Sequence, residues 1–247
     1  MRRAEPIRVA MWSGPRNIST AMMRSFENRE DAAVIDEPFY AAYLAATGLD
    51  HPLRDAVLAS QPTDWRAVVK QLLGAVPGGR PIFYHKHMTH HMLPGFGRDW
   101  IGRCRNAFLI RAPQEVLASY AEKRGEVTLA DIGFVQQREL FEREADRLGR
   151  APPVIESKDV LRAPQAALTA LCISLDIPFS QRMLAWPAGR RASDGVWAPA
   201  WYDAVERSTG FAASPTPPRT LNSVHQVLAD AARPHYERLA AHRLALA

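Results

Sequence analysis

Short apolar runs, each bounded by polar or Gly/Pro-containing stretches, recur along the chain. They cover residues 7–12, 33–36, 81–86, 106–111 and 153–156. Each is too short for a core helix and apolar enough for a strand buried on both faces. Helical periodicity fills the gaps between them. Residues 19–28 put Met22, Met23 and Phe26 on one face. Pro113 suits a first helical position and opens a helix carrying Val116, Leu117 and Tyr120 that stops at Gly125. Thr128 and Asp131 have the spacing of a capping box ahead of a long helix to Leu148. A further helix runs over 164–175. The last starts near Ser223, and Pro234 must kink or divide it. Strands alternating with helices predict an α/β fold of three layers, α/β/α, around a central, mostly parallel five-stranded sheet. The breaker segments 149–153 and 214–218 read as loops and are too short for domain linkers, so residues 1–247 are expected to form one domain.

Ligands of such sheets bind outside the carboxyl ends of the strands, so the residues that follow each strand carry the candidate chemistry. The first strand runs into Ser13-Gly14-Pro15-Arg16-Asn17-Ile18-Ser19-Thr20 and then a helix. Such a turn aims free backbone N–H groups and a helix dipole at one spot, and Arg16 adds a fork-shaped cation. It lacks the lysine and second glycine of a Walker A loop. The second strand ends at Asp36-Glu37-Pro38, an acidic pair suited to a base or a cation ligand. The third leads into His85-Lys86-His87-Met88-Thr89-His90-His91, which holds four of the eight histidines. Strand alternation puts His85 and His87 on one face and Lys86 on the other. A metal site is one reading of this cluster; anion binding with a general base fits better, because Lys86 would repel a cation. The fourth strand ends at Arg111-Ala112-Pro113, with Ser119 two turns along the next helix; this arginine can grip a phosphate bidentately. Later, Gly189-Arg190-Arg191-Ala192-Ser193-Asp194-Gly195-Val196-Trp197 reads as an arginine-rich clamp. Each feature also has a plain structural reading, as a turn, a salt bridge or a core imidazole.

Composition narrows the picture. The chain is 47% apolar and 23% charged, which excludes wholesale disorder and a disulfide-stapled miniprotein. Two cysteines, Cys104 and Cys172, are too few for a disulfide framework or a four-ligand zinc site. No run approaches the ~18 apolar residues of a membrane span. The opening Met1-Arg2-Arg3 has no apolar stretch after it, because Glu5, Pro6 and Arg8 intervene. A cytoplasmic protein is expected. The formal charge of +5 is scattered, which hints at an anionic ligand and argues against nucleic acid.

Taken together, the motifs resemble the sulfotransferases that use 3′-phosphoadenosine 5′-phosphosulfate (PAPS). Residues 13–20 are similar to that family's 5′-phosphosulfate loop, with Arg16 as its cation. Leu109-Ile110-Arg111-Ala112-Pro113 and Ser119 resemble its 3′-phosphate motif. The 189–197 loop is similar to its late basic loop, although no Lys-Gly follows Arg191. The resemblance implies a P-loop NTPase-like fold and transfer of a sulfuryl group to a hydroxyl or amine of a small molecule. It implies PAPS as co-substrate, with no metal. Glu37 would be the base, with His85, His87 or His90 as second choice, and Lys86 would steady the transferring oxygens. Arg190 or Arg191 would complete the nucleotide site. Trp186, Trp197, Trp201, Tyr202 and Phe211 would line an acceptor pocket or fill a core beneath a long loop. A homodimer is compatible with the sequence. An ATP-dependent small-molecule kinase and a non-catalytic phospho-ligand-binding module are the rival readings.

Overall fold

The computed structural model describes residues 5–120, 127–211 and 220–246. Five strands form one sheet: β1 (Ile7–Ser13), β2 (Ala32–Asp36), β3 (Ile82–Met88), β4 (Arg105–Ile110) and β5 (Val154–Glu156). Their order is β2-β3-β1-β4-β5, and every pairing is parallel. The helices are α1 (Ser19–Glu27), α2 (Tyr40–Thr47), α3 (Arg54–Ser60), α4 (Trp65–Leu73), α5 (Pro113–Tyr120) and α6 (Phe134–Leu148). They continue as α7 (Ser157–Arg162), α8 (Pro164–Ser174), α9 (Ala198–Trp201), α10 (Asp203–Glu206) and α11 (Ser223–Ala240).

Each strand's period-2 alternation feeds two apolar layers. Val9, Met11, Tyr84 and Leu109 pack with Met22, Met23 and Phe26 of α1 and with Leu168 and Leu171 of α8. Ala10, Trp12, Phe108 and Ile110 turn the other way, onto Val68 and Leu72 of α4 and Leu140 and Phe141 of α6. Covering on both faces is why these strands read as continuous apolar runs and not as alternating ones. The chain leaves β1 for the edge strand β2, returns to β3 beside β1, then crosses to β4 on the far side. That reversal opens a crevice at the carboxyl end of β1.

Several expectations need correction. The Thr128–Asp131 pair does exchange hydrogen bonds, with Thr128 N–H and Oγ1–H on Asp131 Oδ2 at 2.8 Å. It closes a turn and does not cap the helix, which begins only at Phe134. Gly133 intervenes with φ +67°, hard against Thr89, where a Cβ would lie 2.5 Å from Oγ1. Pro234 does not divide α11, which runs on through it while packed against α5 and α6. Helices α2, α3 and α4 were not predicted. The Ala-rich α2 starts at Phe39 with no side-chain cap, so no start signal marks it, whereas Asp64 does cap α4 by accepting from Arg66 N–H. The predicted helix end at Gly125, the loop at 214–218 and the opening residues 1–3 lie outside the described residues.

Candidate functional site

The loop between β1 and α1 is shaped by close approach and by left-handed backbone. Gly14 runs against segment 127–133 so tightly that a Cβ there would sit 2.6 Å from the Ile132 carbonyl oxygen. Arg16 and Ile18 both take positive φ, 60° and 54°, a conformation that costs L-residues energy and turns successive amides to one side. Ile18 stands at the N-cap without a side-chain cap. The first N–H groups of α1 therefore have no acceptor within the helix, and Ser19, Thr20 and Ala21 line a cavity of about 440 Å³. Asn17 Nδ2 donates to the Leu109 carbonyl at 3.2 Å, which ties the loop to β4.

The end of β4 meets this loop. Arg16 Nε donates to Ser119 Oγ at 2.9 Å, and Arg111 Nη1 donates to the Arg16 carbonyl at 2.7 Å. Arg111 Nε donates to Glu115 at 2.9 Å. Among the described residues no carboxylate pairs with Arg16. Burial, and then the neighbouring Arg111, press its guanidinium below the ordinary arginine value. Two crowded guanidiniums beside an open helix start make a receptor for an anion.

A second cluster sits where β2 and β3 end. The parallel register sets Asp36 opposite Lys86, on one face. The Lys86 ammonium is buried and donates to Asp36 Oδ1 at 2.8 Å, Glu37 Oε1 at 2.7 Å and Tyr202 Oη at 2.6 Å. Tyr202 O–H in turn donates to Asp36 Oδ2 at 2.6 Å, and the Gly195 N–H reaches the same oxygen at 3.1 Å. Glu37 holds φ +38° immediately before Pro38, a strained backbone of the kind found where a side chain is aimed for use. Burial raises the Glu37 carboxyl above the usual carboxylate range against the pull of Lys86, and Asp36 adds to the rise. Burial works against the Lys86 charge too, but Asp36 and Glu37 outweigh it and hold the ammonium well above an ordinary lysine.

The predicted residues are not all brought together. Pro15, Arg16, Asn17, Ile18, Ser19, Thr20, Glu37, Lys86, His90, Arg111 and Ser119 line one cavity. Ser13 and Gly14 support the loop from behind. His85 and His87 point to the opposite face of the sheet, as strand alternation requires. There His87 stacks on Trp12 with ring centroids 4.3 Å apart, and His85 meets Phe83 edge-on. They are core imidazoles, out of reach of the cavity. Arg190 and Arg191 also do not line it: Arg190 Nε lies 3.8 Å from Glu206, and Arg191 folds back onto the Pro187 carbonyl. Their loop is pinned instead by Asp194, which accepts from Arg24 at 2.7 Å.

Of the five late aromatics, Trp201, Tyr202 and Phe211 line the cavity, while Trp197 is core and Trp186 packs edge-on against Phe211. Sequence reasoning missed Tyr40, His51 and His91 as cavity residues. His91 is sandwiched between Tyr40 and Tyr43 at 4.7 and 4.8 Å, and burial keeps it neutral, well below the usual histidine value. Its place in the histidine run was the available signal; for His51, in an unremarkable loop, there was none. Among the described residues no group of histidine, cysteine or carboxylate side chains could hold a metal ion. No helix there is long and apolar enough to cross a membrane.

In Arabidopsis thaliana, branched-chain-amino-acid aminotransferase-like protein 1 is 37% identical over 239 residues, and protein 2 is 35% identical over 231. The matches take in 97% and 94% of this chain but only 42% and 41% of those proteins, so the chain spans about two-fifths of their length. Among solved structures, the sulfotransferase of Alicyclobacillus acidocaldarius superposes with a TM-score of 0.54 at 14% identity, covering 97% of each chain. The sulfotransferase domain of the curacin biosynthetic pathway gives 0.53 at 16%, covering 93% of this chain and 98% of that one. The shared fold is the P-loop-like α/β sheet already described. Residues 7–243 match the family described as sulfotransferase domain, and the chain belongs to that family.

Proposed function

We propose that this protein transfers a sulfuryl group from PAPS to a hydroxyl or amine of a small-molecule acceptor. The observation that carries the reading is one cavity lined both by an anion receptor and by a buried carboxylate–ammonium pair. The residues present fit the co-substrate, because two crowded guanidiniums and an uncapped helix start call for a multiply charged anion. PAPS, when bound, supplies a sulfuryl group already activated by its phosphate leaving group.

The protein's own part is positioning and charge stabilisation, as in the related phosphoryl transfers. Arg16 and the amides at the start of α1 would hold the 5′-phosphate end, and Arg111 with Ser119 the 3′-phosphate. Lys86, a permanent cation in a dry site whose N–H donors are held by Asp36, Glu37 and Tyr202, would steady negative charge on the transferring oxygens through its field. Glu37 would take the acceptor's proton. Burial raises its proton affinity toward the working pH, which is what a general base needs. Trp201, Val205 and Phe211 would give the acceptor an apolar wall. The aminotransferase-like names belong to relatives more than twice as long as this chain, and they leave the acceptor open.

The test is a thermal-shift titration with 3′-phosphoadenosine 5′-phosphate (PAP) against ATP with magnesium. A ligand at about 100 times its Kd adds about 2.7 kcal/mol to a folded protein, or roughly 5–10 °C in Tm at this size. PAP should give that shift. Stabilisation by ATP–magnesium alone would overturn the reading in favour of a kinase.

A further inference from the structure

The buried cluster holds one ammonium and two carboxylates, and the two carboxylates are not equivalent. Asp36 is saturated: Lys86 donates to Oδ1, and the Tyr202 hydroxyl and the Gly195 amide both donate to Oδ2. Glu37 accepts from Lys86 on Oε1 and faces the cavity. All three Lys86 N–H donors are spent, on Asp36, Glu37 and Tyr202. Tyr202 itself is held from behind by Trp197 Nε1 at 3.1 Å.

We propose that Asp36 and Tyr202 are positioning residues that lock Lys86 as a fixed cation and leave Glu37 as the one member of the cluster able to gain and lose a proton. The inference rests on the reading of Glu37 as the base. It adds how the proton is directed to one of two adjacent carboxylates. Hydrogen bonds donated to a carboxylate favour its charged form, and Asp36 accepts three where the Glu37 side chain accepts one from Lys86, so the geometry favours Glu37 as the seat of the proton. Two carboxylates sharing one cation cannot both stay ionised at equal cost, and the less solvated-by-donors member takes the proton. Asp36, as a fixed negative neighbour, also raises the proton affinity of Glu37. Around Glu37 stand Asp36 from β2, Lys86 from β3 and Tyr202 between α9 and α10. Tyr40 from α2, His51, His90, His91 and, at the anion loop, Arg16 share its cavity.

The test reads the proton directly and needs no acceptor. Infrared difference spectra of the full chain, recorded across pH, follow the carbonyl band of a buried protonated carboxyl. The wild type should show a band that Glu37→Gln removes, distinct from that of the buried Glu156, whose carboxyl burial also raises and which the variant leaves in place. Asp36→Asn removes the negative neighbour and leaves Glu37 as the one carboxylate on Lys86, so the midpoint of that band should move down by about one pH unit or more. Tyr202→Phe keeps both carboxylates but deprives Asp36 of a donor, so a second acid band should grow in as pH falls. This variant serves if Asp36→Asn does not fold. A midpoint unmoved by Asp36→Asn, a spectrum unmoved by Tyr202→Phe, or a band abolished by Asp36→Asn and retained in Glu37→Gln would each overturn the assignment. PAP thermal shifts on the same samples report the donor site separately. Intact shifts with unmoved bands reject this inference alone; absent shifts in the wild type reject the underlying reading.

Discussion

The two halves of the cavity are built on opposite principles. The anion side is assembled from short-range pieces: one loop, one helix start and the end of the strand beside it. Its arginines stay partly open to water, with Arg111 25% exposed, and its charge is in surplus. The proton side draws Asp36, Glu37, Lys86 and Tyr202 from three distant segments and buries them nearly completely. There the charges largely cancel one another. An open surplus of charge attracts its ligand and is screened by salt; a closed, internally paired cluster ignores salt and depends on hydrogen-bond geometry.

The sharpest break of that comparison is Glu37→Gln. Loss of a general base costs roughly 10²–10⁴-fold in rate, so PAP release from PAPS, assayed with a panel of phenols and alcohols, should fall by that order. PAP affinity should stay the same, because the amide touches only the proton side. A matching loss of PAP binding would merge the two halves into one.

Next in size is Arg16→Ala. A hydrogen bond to a charged group contributes roughly 1.5–3 kcal/mol, so PAP affinity by calorimetry should fall roughly 10- to 150-fold. Arg111→Ala should cost less, because Arg111 must first leave Glu115. Equal losses would mean that this ion pair opposes nothing.

The back of β3 supplies the third case, burial without partners. His85 has neither ring nitrogen hydrogen-bonded among the described residues, and burial drives it down to about 3. Its folded value is depressed, so the unfolded chain binds the proton first. Its contribution is complete above pH 6.5 and is lost as pH falls toward 3. At pH 5 that loss is about 2 kcal/mol, readable as a drop in urea midpoint that His85→Leu should remove. The smallest effect is expected from the double change Arg190→Ala and Arg191→Ala. Both lie off the cavity, so PAP affinity should hold within about threefold; a larger loss would return this loop to the nucleotide site.

What could be read beforehand follows the same division. All five strands were legible because burial on both faces writes a continuous apolar run. The anion loop was legible because its glycine, its arginine and its helix start lie within a few residues. Glu37 and Lys86 were legible as strand-end residues, and alternation correctly separated Lys86 from His85 and His87. It could not say which face was the core, so these two imidazoles were carried forward as bases. Tyr202 was seen only as one of five late aromatics. Its bond to Lys86 spans 116 positions, and no local pattern encodes a contact of that range. Arg190 and Arg191 misled for a related reason: charge density is visible in a sequence, but the Asp194–Arg24 bridge that fixes their loop elsewhere is not.

The tie from Asp36 to Gly195 and Tyr202 also bears on how such a cavity can change over generations. The segment that walls the cavity is fastened to the sheet through one oxygen, Asp36 Oδ2, which accepts from both the Gly195 N–H and the Tyr202 O–H, and its remaining lining residues take no part in that knot. Trp201, Val205 and Phe211 pack against neighbouring apolar groups and Ala204 lines the cavity, so changes there reshape the wall at a packing cost, whereas a change at Asp36 or Tyr202 undoes the tie itself. Drift at these four positions would reshape what the cavity admits and leave that tie as it is. On the proposed transfer, one scaffold could in this way change the acceptor it admits while the tie through Asp36 is kept.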